Sequence, residues 1–186
     1  MHTSDAIKSR RSVKRFTDRA VTRENIETLL AAATLAPNHK LTQPWRFYVL
    51  GPEARYAYGL ALGSRKAKKI EDPAAGATLR ETVGAEHRAL PGMIAVAVVN
   101  HESPETREED YAAAMMAVQN ISLTAVTLGL GTHMKTGAVM SDPEARAAVG
   151  LPDDQRIVAI VNVGVPAENL PAKKREPADA FTTWRP

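Results

Sequence analysis

The chain has 186 residues, 24 basic against 21 acidic side chains and a net charge of +3, and it contains no cysteine. This length is typical of one domain, and we expect a single domain over residues 1–186. The missing thiols exclude disulfides, thiolate zinc sites, iron–sulfur clusters and a cysteine nucleophile. The near balance of charge does not by itself indicate a nucleic-acid-binding protein.

The first residues lack the apolar stretch of a secretory signal, and we expect the protein in the cytoplasm. Residues 111–134 carry no charged side chain and are numerous enough to span a bilayer. The same stretch holds several amide and hydroxyl side chains, which are unfavourable in a membrane. We therefore predict a buried central helix here.

A short helix is predicted over residues 3–9, followed by the basic cluster 10–16. Thr22 is a candidate N-cap for the next helix. The apolar residues of that helix recur at the spacing of one buried face, namely Ile26, Leu29, Leu30 and Ala33. Pro37 ends the helix, since proline disfavours helical geometry in the residue before it. A loop over 38–44 then leads to Trp45 and a strand over 46–50.

Residues 53–90 are charged and rich in alanine, and they predict one or two exposed helices with a mobile connection at Asp72-Pro73. Two apolar runs, 93–99 and 157–163, are of strand length and predict strands covered on both faces.

Between these strands we expect a polar loop containing Pro104, a long helix over 107–128 and a short helix from Asp142 to Gly150. Gly129 and Gly131 end the long helix. The last twenty-one residues, 166–186, contain four prolines and predict an extended arm. Helices around a few covered strands indicate a three-layer α+β or α/β sandwich.

The basic cluster is the strongest local motif. Arg10, Arg11, Lys14 and Arg15 surround Ser12, and arginine forks with a hydroxyl suit a phosphate group. A solvated basic face at the end of a helix is an equally simple explanation. Nucleic-acid binding is less favoured, because the basic runs at 65–69 and 173–175 have no interleaved aromatic residues.

Residues 129–137 nearly match a phosphate-binding P-loop. Met134 stands where that motif requires glycine, and the segment follows a helix instead of a strand, so we exclude a nucleotide triphosphatase. Lys135 and Thr136 could still hold a single phosphate group. The alternative is an ordinary helix-to-strand connection.

The loop before Trp45 contains Asn38, His39, Lys40 and Gln43, whose polar groups could bind the edge of a flat heteroaromatic ring. The alternative is a surface turn over a packed tryptophan. The scattered histidines show no metal-ligand spacing, and His2, His87 and His101 are expected at the surface. The common motifs of metalloproteases, serine hydrolases and dinucleotide-binding folds are missing.

Three of these segments together resemble the nitroreductase family of flavin mononucleotide (FMN) oxidoreductases. They are Arg10 to Phe16, Gln43-Pro44-Trp45-Arg46-Phe47 and Gly131 to Gly137. The resemblance covers essentially the whole chain and is closest to the compact branch of the family. It implies a three-layer α-β-α sandwich with a mostly antiparallel sheet. It also implies a homodimer that exchanges its C-terminal arms, 165–186, and holds FMN at the subunit interface.

The resemblance also implies which residues bind the cofactor. Arg10, Ser12, Lys135 and Thr136 would hold the phosphate and ribityl chain, together with Met134 in the same late segment. Arg11 and Lys14 would lie near the flavin, with Lys14 the better candidate for its N1–C2 carbonyl edge. Leu35, His39 and Gln43 would reach the flavin from the partner chain. Leu41 replaces an asparagine that larger members often carry, and Asn38 or His39 would take over that contact.

The implied activity is electron transfer in alternating half-reactions. NADH or NADPH would reduce the flavin and leave, and a small nitroaromatic, quinone or enone would then be reduced. No catalytic residue is expected from the chain itself, because the cofactor carries the hydride chemistry. Three alternatives remain open: a relative with different flavin chemistry, a flavin- or phosphate-binding protein without turnover, and a nucleic-acid-binding module.

Overall fold

A four-stranded sheet forms the centre of the molecule in the computed structural model, which describes residues 1–185. Its strands are β1 (Trp45–Val49), β2 (Gly92–Val99), β3 (Gly131–Lys135) and β4 (Gln155–Gly164). Their order is β1-β2-β4-β3, and each neighbouring pair is antiparallel. The expected antiparallel sheet is confirmed, and both predicted apolar runs lie in its two central strands.

Helices cover both faces of the sheet. One face carries α1 (Thr3–Ser9), α2 (Arg23–Ala33) and α5 (Pro104–Thr127), and the other carries α3 (Pro52–Ala67), α4 (Pro73–Arg88) and α6 (Pro143–Val149). Each face has its own apolar core, one around α2 and α5 and one around α3 and α6. Residues of β2 alternate between the two cores, as the period of two requires. In β4 a register irregularity opposite Val96 and Ala97 places the adjacent residues Val158 and Ala159 in the same core. The predicted three-layer α+β sandwich is therefore confirmed.

The long helix α5 is the buried element predicted from the uncharged stretch. Its buried face is built mainly of small residues, including Ala113, Ala114 and Ala117, which let it approach the sheet closely. The helix begins at Pro104, so the prediction of a loop there was wrong. Ser103 caps the helix and proline takes its first position, where its missing N–H has no cost. Among residues 1–185 no helix is long and apolar enough to cross a membrane.

Helices α3 and α4 form a hairpin through glycines. A Cβ atom on Gly63 would lie 2.7 Å from Cα of Arg80, and one on Gly59 would lie 2.7 Å from the carbonyl oxygen of Val83. Asp72 caps α4 through the backbone N–H groups of Ala74 and Ala75. The prediction of exposed helices was therefore incomplete, because each helix buries one face in this contact.

The segment after α5 is a strand and not only a connection. Gly129, with φ +71°, ends the helix, and Gly131 opens β3. A Cβ atom on Gly131 would lie 2.5 Å from Cγ2 of Val13, so glycine allows the N-terminal segment to approach. The sequence did not predict this strand, because its five residues lack the apolar run of β2 and β4.

The first part of the C-terminal arm packs on its own chain. The backbone N–H of Thr17 donates to the carbonyl of Val165, and that of Ala167 donates to the carbonyl of Arg15. Beyond Leu170 the arm is exposed, with one 3-10 turn at Ala178–Phe181, and the side chain of Trp184 is 89% exposed. The extended arm is confirmed for residues up to 185, and Pro186 lies outside the described residues. Exchange of the arm between subunits stays a prediction.

Candidate functional site

The basic cluster and the late phosphate-binding segment lie side by side. Ser12 forms a parallel bridge with Thr132 of β3, and the N–H of Val13 donates to the carbonyl of Thr132 at 2.8 Å. The N-terminal segment thereby extends the sheet beyond β3. The basic cluster and the late phosphate-binding segment, about 120 residues apart in the chain, thus meet at one edge of the sheet.

A cavity of about 230 Å³ opens between this edge and α5. Arg10 and Ser12 lie at its wall, and within residues 1–185 the guanidinium of Arg10 has no hydrogen-bond partner. Its donors and the exposed Ser12 hydroxyl are thus available to a ligand. Charge-assisted, bidentate hydrogen bonds from arginine are well suited to phosphate oxygens. The other lining residues are Met115, Val118, Gln119, Ser122, Thr132 and Met134.

The other cations of the cluster have different surroundings. Arg11 donates to the backbone carbonyls of Lys8, Arg10 and Leu170, so its guanidinium fastens the arm to the N-terminal segment. Arg15 forms a two-bond ion pair with Glu168, at 3.0 and 3.3 Å. The exposed ammonium of Lys14 has no ion pair within the described residues. Of the three cations, Lys14 is the one that is available to a ligand.

Met134 and Lys135 lie on opposite faces of β3, as adjacent strand residues must. Met134 faces the Arg10 cavity, whereas the ammonium of Lys135 donates to Nε2 of His87 on α4, at 3.2 Å. Burial lowers the pKa of Lys135, and the charge of Lys66 lowers it further. The structure therefore does not bring the Lys135 ammonium together with Arg10 and Ser12. The exposed Thr136 follows at the end of the strand.

His87 is 5% exposed, so its predicted place at the surface was wrong. Nδ1 of its ring donates to the carbonyl of Val83 at 2.7 Å, which leaves Nε2 as the acceptor for Lys135. Burial lowers the pKa of His87, and the nearby Lys135 charge lowers it as well. A neutral imidazole is thus the form that this environment favours.

The loop before β1 is held by its own side chains. Oδ1 of Asn38 accepts from the backbone N–H of Gln43 at 2.6 Å, and Nδ2 of Asn38 donates to Oγ1 of Thr42 at 2.9 Å. These bonds use both ends of the Asn38 amide within the loop. His39 points instead to α5, where its Nδ1 lies 2.8 Å from Oε1 of Glu109.

The residues predicted to reach the flavin from a partner chain do not line the Arg10 cavity of their own chain. Leu35 and Leu41 expose 81% and 76% of their surface, and the neighbouring α5 exposes the large apolar residues Tyr111 and Met116. His39 and Gln43 are exposed on the same loop. Their roles toward a cofactor stay predictions.

Sequence reasoning missed three polar residues of the cavity wall, of which Gln119 and Ser122 lie on α5. These two belong to the uncharged stretch of α5, where polar side chains stand among alanines and valines. That contrast could have indicated them as residues of a binding site. Thr132, also missed as a wall residue, pairs with Ser12.

Comparisons with known proteins identify the family. The model of the Nitroreductase family matches residues 7–165. The chain is 35% identical over 182 residues to the Bacillus subtilis protein named "Putative NAD(P)H nitroreductase YfhC", covering 96% of this chain and 92% of that protein.

Two solved structures extend the comparison. A nitroreductase-like family protein from Bacillus cereus superposes with a TM-score of 0.86 and 30% identity, covering 100% of this chain and 96% of the other. A Desulfovibrio desulfuricans protein solved in complex with FMN gives a TM-score of 0.74 and 27% identity, covering 99% and 96%. The chain belongs to the nitroreductase family, and the resemblance drawn from its three motifs is confirmed.

Proposed function

We propose that this protein is an FMN-dependent oxidoreductase that takes electrons from NADH or NADPH and passes them to a small electron-poor acceptor, in alternating half-reactions. The acceptor would be a nitroaromatic, a quinone or an enone. The observation that carries the proposal is the pairing of Ser12 with Thr132, which places a free arginine fork at a cavity beside β3. Membership of the family and the relative named as an NAD(P)H nitroreductase support it.

The donor set fits the FMN phosphate. Arg10 offers guanidinium donors that have no partner within residues 1–185, and Ser12 offers an exposed hydroxyl next to them. Thr136, which follows β3 directly, adds a second exposed hydroxyl to the proposed set of donors. The side chains of Arg11 and Lys135 could bind the phosphate only after breaking their present hydrogen bonds. We therefore assign them a smaller contribution to phosphate binding.

The ring of the flavin would lie against Lys14 and Met134. The polarizable thioether of Met134 is exposed and can pack on a flat aromatic surface. The free ammonium of Lys14 would face the N1–C2 carbonyl edge. When bound, FMN supplies the hydride chemistry, and a cation at that edge stabilises the extra negative charge of the reduced ring.

We further propose a homodimer in which each copy completes the other's site. Exposed apolar side chains on the segment between α2 and β1, Leu35 and Leu41, and on α5, Tyr111 and Met116, support it, because exposed apolar surface is often a site of protein–protein contact. Strand β1 leaves one edge without a partner strand within residues 1–185. The arm of a second copy would cover such an edge by adding a strand. Leu35, His39 and Gln43 would then contact the neighbour's flavin.

A visible absorption spectrum of the purified protein, before and after anaerobic addition of NADPH or NADH, tests the function. We expect the yellow spectrum of bound FMN, bleaching with the donor and return of colour with a nitroaromatic or quinone. A yellow protein that neither donor bleaches would contradict the reductase activity. A colourless protein that takes up no added FMN would contradict cofactor binding.

A further inference from the structure

Two adjacent carboxylates at the start of α5 hold the loop that carries His39. Oε1 of Glu109 lies 2.8 Å from Nδ1 of His39, and Oδ1 of Asp110 accepts from Oγ1 of Thr42 at 2.6 Å. Asp110 is only 4% exposed, so its bond to Thr42 anchors the loop in the interior. One carboxylate therefore anchors the loop through the Thr42 hydroxyl, and the other holds the imidazole.

The backbone of this loop is strained. Lys40, Leu41 and Gln43 have φ values of +55°, +51° and +43°, which residues other than glycine rarely adopt. Such conformations persist where surrounding contacts enforce them, and they cluster at binding sites. Here the enforcing contacts are the two carboxylates and the Asn38 amide. A loop needed only to connect α2 to β1 would not require this arrangement.

The contact with Glu109 also determines which atom His39 can offer to a ligand. An ionised carboxylate only accepts hydrogen bonds, so Nδ1 must carry the hydrogen. In the neutral ring Nε2 is then left as an acceptor. The His39 side chain is 57% exposed, so a ligand can reach the ring.

We propose that Glu109 is a positioning residue, which fixes the Nδ1–H tautomer and the orientation of His39 so that Nε2 accepts a hydrogen bond from the cofactor bound to a second copy of the chain. The matching donor is the imide N–H of the flavin ring. The inference rests on the proposed function, because it requires FMN at an interface between two copies. Asp110 supports the same geometry through Thr42.

The test combines ¹⁵N NMR of the histidine rings with titration of the apoprotein by FMN. In Glu109→Ala we expect His39 to lose its Nδ1–H signature and FMN to bind about fivefold more weakly, the effect of one hydrogen bond near 1 kcal/mol. Glu109→Gln keeps an acceptor oxygen and should restore both properties. Glu108→Ala removes a neighbouring carboxylate that forms no ion pair within residues 1–185 and should resemble the wild type.

The outcomes separate this inference from the proposed function. If the wild type binds FMN and Glu109→Ala leaves both the ¹⁵N signature and the affinity unchanged, the inference is overturned and the function stands. Weaker binding with an unchanged His39 signature also overturns it, since Glu109 would then act by another route. A wild type that binds no FMN would overturn the function, and the inference with it.

Discussion

The ammonium of Lys135, on β3, donates a hydrogen bond to Nε2 of His87, on α4, at 3.2 Å. The two residues are 48 positions apart in the chain. The contact joins the sheet to the α3–α4 hairpin and requires a neutral imidazole, because a charged ring would have no acceptor for the ammonium.

The first prediction concerns acid stability. Burial and the Lys135 charge lower the pKa of His87 below its ordinary value of 6.5. Between the two pKa values, His87 is therefore protonated in the unfolded chain and neutral in the folded protein. The free energy of unfolding should therefore fall as the pH drops from 7 through 6.5 toward the lowered pKa, by at most about 1.4 kcal/mol per pH unit. Urea unfolding at several pH values measures this slope.

His87→Gln should flatten that slope, whereas the same change at the exposed His2 should not. Some slope will remain, because burial also lowers the pKa of His133, as do the charges of Lys135 and Lys14. Identical slopes in wild type and His87→Gln would show that His87 is not held neutral.

The second prediction concerns the α3–α4 hairpin. Gly63→Ala should lower the free energy of unfolding by about 1–3 kcal/mol, because the new methyl group would meet the Arg80 backbone at 2.7 Å. Gly76→Ala is the matched control, since its methyl group would lie 3.6 Å from Cβ of Ala67, an ordinary contact. That variant should be more stable by about 0.5–1 kcal/mol, as expected for replacing glycine within a helix. Equal stabilities for the two variants would contradict the close packing.

The third prediction concerns the flavin potential. Lys14→Ala should weaken FMN binding and lower its midpoint potential, because the reduced ring loses a neighbouring cation. A loss of about 1.4 kcal/mol corresponds to about 30 mV for a two-electron couple. Anaerobic redox titration measures the shift. Arg15→Ala is the control, because Glu168 already pairs with Arg15, and an unchanged potential in Lys14→Ala would refute this placement of Lys14.

The fourth prediction concerns self-association. Leu41→Asp should shift the protein toward monomers in sedimentation equilibrium, because it puts a charge in the exposed apolar surface that a second copy would cover. Aspartate tolerates the positive φ of this position, so the fold should be kept. Ile70→Asp adds the same charge at the exposed end of the α3–α4 hairpin and should leave the association constant unchanged. A dimer equally strong in both variants would place the interface elsewhere.

Local signals in the sequence were sufficient for most elements. Thr22 caps α2, Asp142 caps α6 and Gly150 ends α6 in a left-handed conformation, all as the sequence indicated. These features depend on neighbours within a few positions, so they can be read from the chain directly. Strand β3 could not be predicted in this way, because its stability comes from pairing with β4 and with the N-terminal segment.

Three short motifs in the right order thus determined the family, and helix caps and apolar runs determined most of the elements. Only the tertiary structure decided that Ser12 pairs with Thr132, that Lys135 faces away from Arg10 and that His87 is buried. The physical reason is that sheet register and packing set which face each side chain occupies, and both depend on residues far apart in the chain. A shift of one residue along a strand turns a side chain to the opposite face of the sheet. Lys135, which the motif assigns to a phosphate, therefore lies on the face away from Arg10 and contacts the buried His87.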